Sequence, residues 1–155
     1  MHAHLAIPKP RRGFTLVELA VVVVIIGVLA AFGVPRFLQS VERSKAAEAF
    51  AYLSAVRTAQ ERYHAREGTY AEDLTALDIQ APTPKYFTVG TVAGNSDIQD
   101  SWTLTLTRTG SSAGYGAYTV TFTDQGFDST NSDIDPEINP IGAQGAAPAE
   151  PPSGG

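Results

Sequence analysis

The chain has 155 residues, 11 Lys and Arg against 16 Asp and Glu, a formal net charge of -5, and no cysteine. That length leaves room for one small domain and excludes a multidomain enzyme, and the missing cysteine removes disulfides, thiol catalysis and thiolate metal sites together. The charge argues against a polyanion partner, because three of the cations (Lys9, Arg11, Arg12) precede the apolar run and no dense Lys/Arg stripe follows it; a small local basic patch stays open.

In the 21 residues 14–34 the only conventional polar side chains are Thr15 and Glu18. As a helix rising 1.5 Å per residue, such a stretch reaches about 31 Å and spans a bilayer core. Lys9, Arg11 and Arg12 before it place the N-terminus in the cytoplasm and residues after 35 outside; Arg36 opposes this weakly. A secretory signal peptide shares the basic start, but its apolar core is shorter, about 7 to 15 residues, and ends at a small-residue cleavage site. An uncleaved single-span anchor fits length and flanks equally well.

Glu18 is the unusual residue. A carboxylate costs roughly 2.5 to 3.5 kcal/mol at the centre of a membrane helix, less near an end, and such groups usually have partners. One reading makes Thr15 an N-cap with Glu18 reaching back to its N–H, a capping box. That leaves unexplained why the basic leader stops at Gly13.

The run GFTLVE at 13–18, basic before and apolar after, resembles the class III signal of type IV pilins and pseudopilins. The resemblance implies that a prepilin peptidase cuts after Gly13 on the cytoplasmic side and methylates the new amine on Phe14, and it puts the family's glutamate on Glu18. Cleavage removes the leader cations and creates an ammonium on Phe14. Opposite charges about 4 Å apart attract by roughly 4 kcal/mol at an effective dielectric near 20, before desolvation. If Glu18 of one subunit meets the Phe14 amine of the next, both buried charges are neutralised only at the correct axial offset, and the acid acts as a register pin. Apolar helices have little other reason to associate in lipid, so small residues such as Gly27 and Ala31 assist.

Gly33 and Pro35 predict a kink rather than an end. Phe37, Leu38, Val41, Phe50, Leu53, Val56 and Tyr63 follow at mostly three-or-four spacings and continue an amphipathic helix. In the family a proline here is common, and the 33–35 region resembles a segment that loosens in assembled filaments. Gly68 suits the position after the last turn, which holds Arg62, His64 and Arg66 against the helix dipole, so the long helix covers 14–67. A short helix is expected at 71–77. Between 86 and 123 the period becomes alternating: Trp102, Leu104 and Leu106 interleave with threonines, as do Tyr118, Val120 and Phe122. With Phe87 and Val89 from a strand near 86–92, and turns at 93–97 and 110–116, this predicts an antiparallel sheet of three or more strands. Phe50, Leu53, Val56 and Tyr63 of the helix cover its apolar face. The threonine rows read as a solvated face. The fold class is α+β, a long N-terminal helix on a small antiparallel sheet, pilin-like. Its parts are a cleaved leader (1–13), the helix (14–67, transmembrane over 14–34), a head (68–140) and a tail (141–155) whose Ala/Gly/Pro composition predicts disorder.

Enzyme chemistry finds little support. Gly110-Ser111-Ser112-Ala113-Gly114 matches the nucleophile-elbow pattern, but an elbow needs a following helix and a later histidine, and after the leader the one histidine is His64. His2 and His4 lie in the leader. Asp124, Asp128, Asp133, Asp135 and Glu137, with Ser129, Asn131 and Ser132 among them, offer hard oxygen donors for Ca²⁺ without EF-hand spacing, and an acidic solvated loop explains them as well. Many pilins close this region with a disulfide, and major pseudopilins of type II secretion carry a calcium loop there.

These readings together describe a non-enzymatic structural subunit of a type IV pilus or related filament. It would start as a single-pass inner-membrane protein with its head outside and end in an extracellular or periplasmic helical homopolymer. By resemblance its partners are prepilin peptidase, an inner-membrane assembly platform and an ATPase, besides the bilayer, with no nucleic acid for the isolated subunit. A type II secretion pseudopilin, an anchored extracytoplasmic binding module and a hydrolase using its Ser-rich loop are the alternatives.

Overall fold

The computed structural model describes residues 13–94 and 98–142. The leader apart from Gly13, and the tail beyond 142, lie outside the described residues. The chain divides into two units, residues 1–36 and residues 37–155. Helix α1 (Leu16–Glu67, 52 residues) runs through both and contains Pro35. It ends where the sequence places the stop: Gly68 takes φ 76°, a left-handed conformation that a side chain disfavours, and its N–H bonds His64 O at 2.8 Å.

The second unit buries one stripe of α1. Glu42, Ala46, Ala49, Leu53, Val56 and Gln60 repeat at alternating four- and three-residue steps, and all are buried. Small residues at 46 and 49 let the sheet approach closely. Beyond the helix, the Gln60 side chain pairs with the backbone of Ala71 through two bonds of 2.8 Å, Nε2–H to Ala71 O and Ala71 N–H to Oε1. This holds the following loop in place, and the helix expected at 71–77 shrinks to a single 3-10 turn, Leu74–Ala76. Asp73 caps that turn by accepting from the Thr75 N–H at 2.8 Å.

Four antiparallel strands follow as a meander: β1 (Phe87–Val89), β2 (Thr103–Arg108), β3 (Thr119–Thr123) and β4 (Gly126–Phe127). β2 and β3 register Leu104 with Phe122 and Leu106 with Val120, so the apolar alternates share the face that packs into the core. Trp102, Leu104, Leu106, Val120 and Phe122 are buried there with Phe50, Leu53 and Val56. β1 stops short of residue 92. Gly90 lies so close to β2 that a Cβ would stand 2.7 Å from Thr105 O, to which its N–H donates at 3.0 Å, and Ala93 forms a further bridge with Thr103. β4 was not expected. It forms because Gly126 adopts φ 111° in a tight hairpin, which carries Phe127 to within 5.0 Å of the Phe50 ring.

Two expectations need correction. Tyr63 is not in the core; it is half-buried beside the Arg66 guanidinium. Next to it His64, also half-buried, stacks on Tyr70 in the loop after the helix, with ring centroids 4.4 Å apart. The threonine face is not simply solvated. Thr107 and Thr88 are exposed, whereas Thr121 is buried under residues 128–133, its hydroxyl within 2.9 Å of the Thr105 hydroxyl and donating to Asn131 O. The Ser132 hydroxyl accepts from the Thr121 N–H at 2.9 Å, standing in for a strand partner.

Candidate functional site: the processing junction and the polymerisation helix

A Cβ placed on Gly13 would meet nothing within 4 Å, and Phe14 is 79% exposed, so the peptide bond between them is open on all sides among the described residues. Thr15 and Glu18 form the capping box. Glu18 Oε2 accepts from the Thr15 N–H and hydroxyl at 2.9 Å each, and the Glu18 N–H returns a bond to Thr15 Oγ1 at 3.2 Å. The carboxylate takes the Thr15 N–H and the Thr15 hydroxyl takes the Glu18 N–H, so each side chain satisfies one N–H that the first turn cannot pair internally. Only Oε2 serves the cap, and Oε1 remains as an acceptor. From Leu16 to Val34 the large apolar side chains are exposed, and α1 is long and apolar enough to cross a membrane. A helix apolar all round and uncovered by its own protein belongs in lipid or among similar helices.

Within the head, a second charged cluster escaped the sequence reading. Glu42 of α1 accepts from Arg108 of β2 in a bidentate pair (Nε to Oε1 2.5 Å, Nη2 to Oε2 3.1 Å), from the Tyr118 hydroxyl at 3.0 Å and from Lys45 Nζ at 3.3 Å. Arg108 also donates to Ser111 O at 2.7 Å and to Thr109 O. Glu42 and Arg108 are both buried. Burial pushes the Glu42 carboxyl up, but the bonds from Arg108, Tyr118 and Lys45 outweigh it, so the group sits below the ordinary carboxylate value. Burial, reinforced by the Glu42 charge, pushes the Tyr118 hydroxyl far up, and bonding to Glu42 raises Arg108 further. The cluster ties the helix to the β2–β3 connection. That connection, 110–116, joins two strands, so its Gly and Ser residues form a loop and not a strand-to-helix elbow.

The expected calcium set does not assemble. Among the described residues no three His, Cys, Asp or Glu side chains gather where they could hold a metal ion. The acids shape the loop instead. Asp128 accepts from the N–H groups of Thr130 and Asn131 at 2.9 and 3.2 Å, and Asp135 from the Glu137 N–H at 2.8 Å, both in local turns. Asp124 pairs with the Gln125 amide and Glu137 with Gln39 at 3.3 Å, while Asp133 is exposed and bonds Thr119 through its backbone. The segment is fixed by Ile138, fully buried in the core, with Arg43 donating to Pro140 O at 3.3 Å.

A methylation motif opening on an uncovered apolar helix, followed by that helix laid on a four-stranded meander, defines a filament-subunit architecture, and the comparisons agree. Residues 8–34 match a family described as the prokaryotic N-terminal methylation motif, and residues 35–132 one described as type IV minor pilin ComP, DNA uptake sequence receptor. Similar proteins include the type IV major pilin protein PilA of Myxococcus xanthus (36% identical over 106 residues, 66% of this chain and 48% of the relative). They also include the fimbrial protein EcpC of Eikenella corrodens (31%, 71% of this chain and 72% of the relative) and the type IV narrow pilus major component PilA5 of Thermus thermophilus (33%, 74% and 89%). The match thus spans about half the length of the Myxococcus relative and most of the other two. The chain belongs to the type IV pilin family. It is a pilus-type structural subunit, and its relatives are structural proteins.

Proposed function

We propose that this chain is a polymerising subunit, cut by a prepilin peptidase between Gly13 and Phe14 and methylated on the Phe14 amine. It would then be held in the inner membrane with its head outside until an assembly platform and ATPase move it into the filament. The carrying observation is that the exposed apolar segment from Leu16 to Val34 has a single carboxylate, Glu18, four residues past an open Gly13–Phe14 junction. Within the monomer the cap occupies Oε2 of Glu18 alone, so the neighbour's Phe14 amine can use Oε1 without dismantling the helix start. Mass spectrometry of the isolated N-terminus tests the processing: a chain beginning at methylated Phe14 supports it, and an intact leader or a cut elsewhere overturns it.

A DNA-receptor reading comes second, suggested by the description of the family matched over 35–132. Against it, five of the seven Lys and Arg side chains in residues 37–155 are engaged locally. Arg57 donates to Asp124 O, Arg62 to Asp78 O, Arg43 to Pro140 O, and Lys45 and Arg108 to Glu42. Cations spent on the protein's own carbonyls and carboxylate make a poor phosphate stripe. Salt-dependent retention of duplex DNA by the purified chain would reverse this ranking.

A further inference from the structure

Tension between the two units of the chain has one covalent way into the head, through residue 37, where α1 crosses the boundary. The contacts of α1 then come in a fixed order. Phe37, Leu38 and Ser40 are exposed and Val41 is half-buried. Among the described residues in this stretch only Gln39 hydrogen-bonds another element, and its partner Glu137 is exposed. Glu42 is the first buried residue of the helix, and the apolar stripe follows it at Ala46, Ala49, Phe50, Leu53 and Val56. A pull that peels α1 from its start must therefore break the Glu42 cluster before it reaches any buried apolar residue.

The cluster resists such a pull steeply. Two bonds from Arg108 and one from the Tyr118 hydroxyl tie Glu42 to the sheet side, at 2.5, 3.1 and 3.0 Å. Bonds of this kind are lost once donor and acceptor part beyond about 3.5 Å, and their loss leaves buried charges uncompensated. An apolar contact opened by a gap of about 0.5–1 Å still keeps half or more of its attraction. The receiving side is firm as well: β2 is paired on both flanks, with β1 and β3, and the Arg108 N–H donates to Tyr118 O at 2.9 Å.

We propose that the Glu42–Arg108–Tyr118 cluster is a mechanical latch, which keeps α1 seated in the head when the span and the head are pulled apart. In the proposed subunit, withdrawal of the span from lipid supplies that tension; the latch itself is a property of the head.

The chain has no cysteine, so pairs of introduced thiols place the handles for single-molecule force spectroscopy on the full chain in detergent micelles. One pair, Arg36→Cys with Thr107→Cys, draws α1 from its start. The other, Glu67→Cys with Thr107→Cys, draws it from its end, and all three positions are exposed. Opening under force follows the unfolding barrier, which differs between the two directions if the order of contacts sets it. Glu42→Met combined with Arg108→Leu should lower the opening force from 36 and leave it unchanged from 67. Gln60→Ala, at the far end of the stripe, should do the converse. Equal losses in both directions, for either variant, overturn the latch by making the contact a general contributor to stability, and no loss from 36 in the double variant overturns it outright. Tyr118→Phe, which removes one bond to Glu42, gives the same comparison if the double variant does not fold. No membrane takes part, so failure here leaves the processing and membrane steps standing, and an uncut leader leaves the latch standing.

Discussion

Glu42 and Arg108 lie 66 positions apart and meet inside the head as a bidentate pair with its closest contact at 2.5 Å. The pair fixes α1 against β2 and, through the remaining Arg108 donors, fixes the loop that leads to β3. Removing one partner leaves the other charge buried without compensation, a loss of about 3–5 kcal/mol. Arg108→Ala and Glu42→Ala should each lower unfolding stability by that order, whereas Glu42→Met combined with Arg108→Leu should recover much of it. Chemical unfolding followed by circular dichroism measures all three. A double variant as unstable as the sum of the singles would show that the charges are not coupled.

The same pair sets an acid limit. The Glu42 carboxyl lies below its ordinary value of 4.5 in the folded head, so the stability it adds is complete above that value and is lost as pH falls through the lower folded one. Melting temperature should therefore fall below about pH 4.5 more steeply in the unmodified chain than in Glu42→Gln. Parallel slopes would remove Glu42 from the acid response.

Gln60 carries a different load. Its amide fills both hydrogen-bonding groups of Ala71 in a buried setting, and truncation strands a buried N–H and C=O. Gln60→Ala should cost about 1–3 kcal/mol for each group left unpaired, more than a surface Gln would. Amide exchange at Ala71 should accelerate in step, and an unchanged exchange rate there would show that the loop is held by something else.

Ile138 takes over the closing role that a covalent link could have had. It is fully buried, while the acidic residues before it, Asp133, Asp135 and Glu137, are exposed. Ile138→Ala should cost about 2–5 kcal/mol, as for other buried large-to-small changes, with the loss concentrated in faster proteolysis after residue 133. Uniform loosening of the sheet instead would mean that the segment is not separately anchored.

The sequence made the architecture legible because its periods were clean. The 42–60 stripe repeats at helical spacing, residues 102–106 and 118–122 alternate, and Gly68 ends the helix in the conformation that glycine permits. What it hid were polar residues standing in apolar positions. Glu42 and Gln60 lie on the same stripe as Ala46, Leu53 and Val56, and Arg108 is the next alternate after Leu104 and Leu106, so the pattern did mark all three as inward-facing. Matching them to Tyr118 and Ala71 required contacts distant in the chain. The two-residue strand β4 had too little pattern to declare itself. The acidic loop was hard to read for a related reason: of its five carboxylates, those of Asp124, Asp128, Asp135 and Glu137 each go separately to turn N–H groups or side-chain amides, a choice made by backbone geometry and invisible in composition.

In the proposed filament the Glu18 carboxylate finds its counter-charge on another subunit. The direct measurement is a filament structure determined by electron cryomicroscopy at side-chain detail. Glu18 Oε1 is expected within about 4 Å of the methylated Phe14 amine of a neighbouring subunit, the separation of an ion pair. A filament in which the nearest neighbouring amine is well beyond that reach, with Glu18 bonded to its own Thr15 alone, would contradict it.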